Sequence, residues 1–85
     1  MTDAEILQRV ATIVADVLGL DGLVLTKATT APDVEGWDSL ANMQIIVAIE
    51  KAFGIRFRTG EIASMKNVGA LVTRVGERIV DGRPE

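Results

Sequence analysis

The sequence predicts a small all-α fold, a four-helix bundle with a long loop between the first two helices and a short third helix. Three observations predict it. Apolar residues recur at helical intervals in three stretches, capping and stop residues bound those stretches, and no segment reads as a strong strand. At 85 residues the chain sits at the low end of single-domain lengths, so residues 1–85 are expected to form one domain. A chain this short buries only about 60 to 65% of its unfolded surface, which leaves a slim stability margin and argues against a deep catalytic cleft.

Thr2 followed by Glu5 has the spacing of a capping box, and Ile6, Val10, Ile13, Val14 and Val17 then recur as one stripe. The first helix is therefore expected over about 3–18, with Gly19 as its left-handed terminal residue and Leu20 folding back as the hydrophobic contact. From Asp21 to Trp37 the periodicity disappears, and Thr29, Thr30, Pro32, Asp33 and Gly36 supply turn chemistry. A connection of that length in a small helical domain is functional or held down by its own side chains, here Leu23, Leu25, Val34 and Trp37.

The second helix is expected over about 39–53, closed by Gly54. Ile55 and Phe57 alternate and read as a buried extended piece, and a short helical turn around 60–64 follows. Asn67 caps a last helix striped by Val68, Leu71, Val72, Val75 and Ile79, with Gly82 and Pro84 at its end.

Composition narrows the functional classes. The apolar content of 48% is globular, and the longest unbroken apolar runs fall far short of the ~18 residues of a membrane span, so no membrane association is expected. The opening MTDAEILQRV has acids where a secretory signal has bases, which points to a cytoplasmic protein. With no cysteine and no histidine, disulfides, thiolate metal sites and the commonest general base are all missing. Acids outnumber bases seven to two through Asn42, while the remainder has seven bases against five acids. An acidic half attracts basic partners and repels phosphate backbones, so nucleic-acid binding is not expected.

The second helix has more apolar surface than one core contact requires. At about 100° per residue, Ile46, Ile49 and Phe53 cluster on one side, and Leu40, Met43 and Val47 cluster roughly 120° away. Either this helix is central and buries both stripes, or the second stripe is a partly exposed docking strip suited to a flexible methionine. The adjacent Ser39 favours the docking strip. Ser39 or Asp38 can cap this helix. A nucleophilic serine needs a base within reach, and Lys27, Lys51 and Lys66 have no local spacing to Ser39 that suits them. The alternative to a plain cap is that Ser39 is a substrate: a phosphodiester there places negative charge at a helix N-terminus, where unpaired N–H groups and the macrodipole favour an anion. Gly36 lets the chain turn there, and Asp38 offers a carboxylate to a basic modifying enzyme.

The stretch WDSLANMQIIVAIEKAFGI closely resembles the modification site and second helix of acyl carrier proteins. The likeness rests on Asp-Ser-Leu after Gly36, hydrophobics at Leu40, Met43, Ile46, Ile49 and Phe53, Gly-Ile before a short third helix, and Asn-Val before a fourth. It covers nearly the whole chain. The resemblance implies that Ser39 carries 4′-phosphopantetheine, whose thiol bears acyl groups as thioesters, and that the protein is not itself an enzyme. It further implies that Asp38 is read by the phosphopantetheinyl transferase, and that Leu40, Met43 and Val47 face partner enzymes of ligase, ketosynthase or acyltransferase type. Glu50 is the main acid expected on this docking helix, and Ile46, Ile49 and Phe53 match core positions. A monomer is expected.

Carriers of primary fatty-acid synthesis usually present several acids along this helix. Here Gln44 and Lys51 stand where more negative charge is expected, and Arg56 and Arg58 make the next segment basic. Those departures favour a specialised polyketide, lipid or lipopeptide pathway. Aspartate rather than histidine or glycine before the serine leans away from a peptidyl or aminoacyl carrier. A helical interaction domain with an unmodified Ser39 is the reading from a different class. Trp37 pins the long loop onto the bundle or contacts the pantetheine arm.

Overall fold

A computed structural model of the chain describes residues 1–81. It contains α1 (Asp3–Leu18), α2 (Ser39–Phe53), the short α3 (Thr59–Ser64) and α4 (Val68–Asp81). The all-α class, the order of elements and the short third helix agree with the sequence reading. Gly82 and Pro84, expected at the end of the last helix, lie outside the described residues.

Local chemistry sets the ends of the helices. Thr2 and Glu5 form the expected reciprocal box: the Glu5 N–H donates to Thr2 Oγ1 at 3.2 Å, and the Thr2 N–H donates to the Glu5 carboxylate at 2.8 Å. The latter bond is the main reason the Glu5 carboxyl is held below its ordinary range. α1 and α2 end alike. Gly19 and Gly54 adopt φ values of 69° and 67°, and the following Leu20 and Ile55 N–H groups reach back to the Ala15 and Glu50 carbonyls at 2.9 and 3.0 Å.

α1 packs against both α2 and α4. The core joins Ile6, Val10 and Val14 of α1 with Ile45, Ile46 and Ile49 of α2 and with Val68, Leu71, Val72 and Val75 of α4. Most of these are the periodic apolar positions of each helix, so their burial follows from the 3.6-residue repeat; the fully buried Ile45 is not among the α2 stripe residues read from the sequence and lies beside Ile49 on the inward face. Phe53 is only partly buried, and the Arg9 guanidinium lies over its ring, 5.3 Å from the centroid.

The long loop is tied down by side chains and by backbone. Leu25 and Val34 are buried in the core, while Leu23 and Trp37 pack against it. A short 3₁₀ turn, Ala31–Asp33, lies within the loop. The Thr30 N–H donates to the Asp33 carboxylate at 2.9 Å, which holds that carboxyl below its ordinary range. The loop also completes α4. The first N–H groups of a helix lack intrahelical partners; those of Val68 and Gly69 donate to the Thr29 and Lys27 carbonyls, each at 2.8 Å, and that of Ala70 donates to Asn67 Oδ1 at 2.8 Å. Gly69 permits this approach, since a Cβ there would stand 2.9 Å from the Lys27 carbonyl oxygen.

α3 has no fully buried residue; Ile62 and Met65 cover the core only in part. Its main polar tie is Glu61, whose side chain is shielded from solvent. That carboxylate accepts the Arg58 N–H at 2.8 Å, pairs with Arg78 of α4 and lies 3.6 Å from Arg74. The Arg58 N–H, then Arg78 and Arg74, hold the Glu61 carboxyl below its ordinary range.

Candidate functional site

The loop delivers the chain to α2 through one sharp turn. Gly36, at φ 89°, sits in the left-handed region, and the Trp37 and Asp38 N–H groups donate to the Val34 and Gly36 carbonyls at 3.2 and 3.0 Å. Asp38 is extended at φ −99°, ψ −171°, and its carboxylate accepts the Ala41 N–H at 2.8 Å. Asp38, rather than Ser39, therefore caps the helix. Ser39 is the first helical residue, exposed, with its hydroxyl outside the capping bond and its own N–H at the positive end of a fifteen-residue helix.

The two apolar stripes of α2 separate in the structure. Ile46 and Ile49 are buried, whereas Leu40, Met43 and Val47 are 71%, 52% and 44% exposed. Asp38 is exposed beside them. Glu50 differs from the surface acid expected: it is half-buried at the edge between the stripes, and its carboxylate accepts the Phe57 N–H at 2.8 Å. The wheel angle foretells that border position; the bond to the segment after the helix has no local signal.

Asn42 is the site residue that sequence reasoning passed over. It lies on the inward arc of α2, and its Oδ1 accepts the Trp37 indole N–H at 2.9 Å, latching the loop onto the helix three residues beyond Ser39. A polar residue among core positions needs a partner, and that was the available signal. Trp37 and Asn42 also line a cavity of about 60 Å³, together with Ile46, Met65, Val68 and Leu71.

The only other serine, Ser64, has the opposite setting. It ends α3, its hydroxyl donates to the Glu61 carbonyl at 2.8 Å, and it lies at the negative end of its helix.

The phosphopantetheine attachment site family matches residues 8–75 of the chain, α2 included. The acyl carrier protein of Thermosynechococcus vestitus is 32% identical over 80 residues, covering 93% of this chain and 98% of that protein. The chain belongs to the acyl carrier protein family. A non-reducing polyketide synthase of Emericella nidulans is 32% identical over 76 residues, covering 89% of this chain and 3% of the synthase. The solution structure of a holo acyl carrier protein from Geobacter metallireducens superposes with a TM-score of 0.84 at 37% identity, covering 89% of this chain and 87% of that one. Membership makes this protein a carrier rather than a catalyst, with phosphopantetheine as its cofactor. It also implies modification by a phosphopantetheinyl transferase and contact with biosynthetic enzymes. Among the described residues no helix is long and apolar enough to cross a membrane.

Proposed function

We propose that Ser39 is the residue that bears 4′-phosphopantetheine, and that the protein passes acyl groups, held as thioesters on that arm, between separate enzymes of a specialised polyketide, lipid or lipopeptide pathway. One observation carries the reading: an exposed serine stands as the first residue of α2 while its neighbour Asp38 does the capping. The residues fit the group. A phosphodiester at Ser39 lies beside the unpaired N–H groups of the helix start, in solvent and within reach of a modifying enzyme. Ser64 offers an anion the wrong end of a helix. The arm supplies the thiol that a chain without cysteine lacks.

The protein's own residues present and orient. Asp38 fixes the helix start and offers charge to the transferase, and Trp37 with Asn42 holds the loop against α2. Leu40, Met43 and Val47 form the strip that partner enzymes cover, a small contact suited to rapid release. Glu50, engaged with Phe57, contributes by fixing the segment after α2. The scarcity of free acids along α2, together with the polyketide synthase relative, supports the specialised pathway.

Incubation with coenzyme A and a broad-specificity phosphopantetheinyl transferase, followed by intact mass spectrometry, tests the assignment. The expected result is a gain of one phosphopantetheine that vanishes in Ser39→Ala. No gain on the folded protein, or a gain that survives the substitution, contradicts it.

A further inference from the structure

Exposed charge changes sign between the segment that enters α2 and the segment that leaves it. In the segment leading into Ser39, residues 28–38, the exposed charges are the acids Asp33, Glu35 and Asp38. Past Val47 they are Lys51, Arg56 and Arg58, all exposed and none ion-paired among the described residues. The single acid of α2, Glu50, accepts the Phe57 N–H and lines the same depression as Lys51 and Arg56, so this end carries three bases against one acid. The apolar strip and the bases are continuous: Val47 and Lys51 both line two adjoining surface depressions, one reaching Met43 and the other Arg56.

Ser39 and Lys51 are twelve residues apart on one helix, about 18 Å along the axis. Charges in solvent are screened over about 8 Å at physiological ionic strength, so the two ends act on a docked surface separately and the net charge of −3 does not decide the local interaction. Resting on the carrier reading of Ser39, we propose that the partner enzymes dock on this face with an acidic surface: apolar side chains cover Leu40, Met43 and Val47, and carboxylates meet Lys51 and Arg56. The bases fix which way round the partner lies, so that its catalytic opening falls at the Ser39 end.

Two synthetic amphipathic helical peptides serve as probes, with one leucine face in common and flanks of glutamate in one and lysine in the other. Each is titrated by NMR into the ¹⁵N-labelled full-length protein, unmodified and loaded. The glutamate peptide is expected to shift the Met43, Val47, Lys51 and Arg56 amides and to bind about five- to twentyfold more weakly to the Lys51→Glu/Arg56→Glu double variant. Lys51→Gln, a milder change, should lose part of that affinity with an unchanged melting temperature. A lysine peptide that prefers this face, equal binding of the two, no shifts with either, or unchanged affinity in the double variant overturns the proposal. The loading assay is read on the same samples. A mass gain without peptide preference refutes the docking proposal alone, whereas a missing mass gain refutes the assignment of Ser39.

Discussion

Asp38 caps α2 and leaves the hydroxyl of the adjacent Ser39 out of the capping bond. The sequence left the cap open between them because both side chains accept hydrogen bonds; the extended backbone of Asp38 decides it, placing Ser39 one step inside the helix. Replacing Asp38 with alanine removes the cap and should cost about 1 kcal/mol, lowering the melting temperature of a domain this size by about 4–8 °C. Asp38→Asn keeps a capping oxygen, so its melting temperature should stay near that of the wild type while its loading by the transferase slows. Thermal denaturation followed by circular dichroism, beside the loading rate, separates cap from charge. Full-speed loading of Asp38→Asn contradicts the role of the carboxylate. The Trp37–Asn42 bond was not legible in the same way, since nothing in the sequence pairs a loop indole with a particular amide. Asn42→Ala leaves that indole N–H without its partner and should destabilise by about 1 kcal/mol in urea unfolding.

Helical periodicity carried most of the fold at the level of elements, and α2 shows both its reach and its limit. The two stripes divide into buried and exposed as the angular spacing requires. Ile49→Ala should therefore cost about 2–5 kcal/mol, whereas Met43→Glu should change stability by no more than about 0.5 kcal/mol while impairing acyl transfer to partner enzymes. Chemical denaturation of both variants provides the comparison, and unfolding by Met43→Glu contradicts an exposed strip. Periodicity is silent on how the long loop meets α4, because backbone bonds between distant segments leave no repeat. Gly69 shows the consequence. In an ordinary helix interior, glycine to alanine stabilises by about 1 kcal/mol. Here the added methyl group meets the Lys27 carbonyl oxygen, so Gly69→Ala should destabilise by about 1–3 kcal/mol in urea unfolding.

For the whole molecule, the acid limb of stability follows, among the described residues, from three carboxyls. Glu5, Asp33 and Glu61 are held below their ordinary values of 4.5, 3.8 and 4.5, chiefly by backbone N–H groups, so the folded chain binds fewer protons than the unfolded one. Their contribution is complete above about pH 5 and drains as the pH falls through the lower, folded values. The melting temperature should be flat from neutral pH to about 5 and then decline. Glu61→Gln should lower the plateau and flatten the decline, since the Arg78 and Arg74 ties to α3 lose their charge partner. The pairing of Glu61 with arginines of a distant helix left no trace in the sequence pattern and required the tertiary structure. On the proposed assignment, this geometry presents one exposed hydroxyl at the start of α2 for modification. Proteolytic fragmentation of the loaded protein with tandem mass spectrometry locates the modification directly. The expected result is phosphopantetheine on the peptide containing Ser39 and none on Ser64 or any threonine; its appearance on another residue contradicts the account.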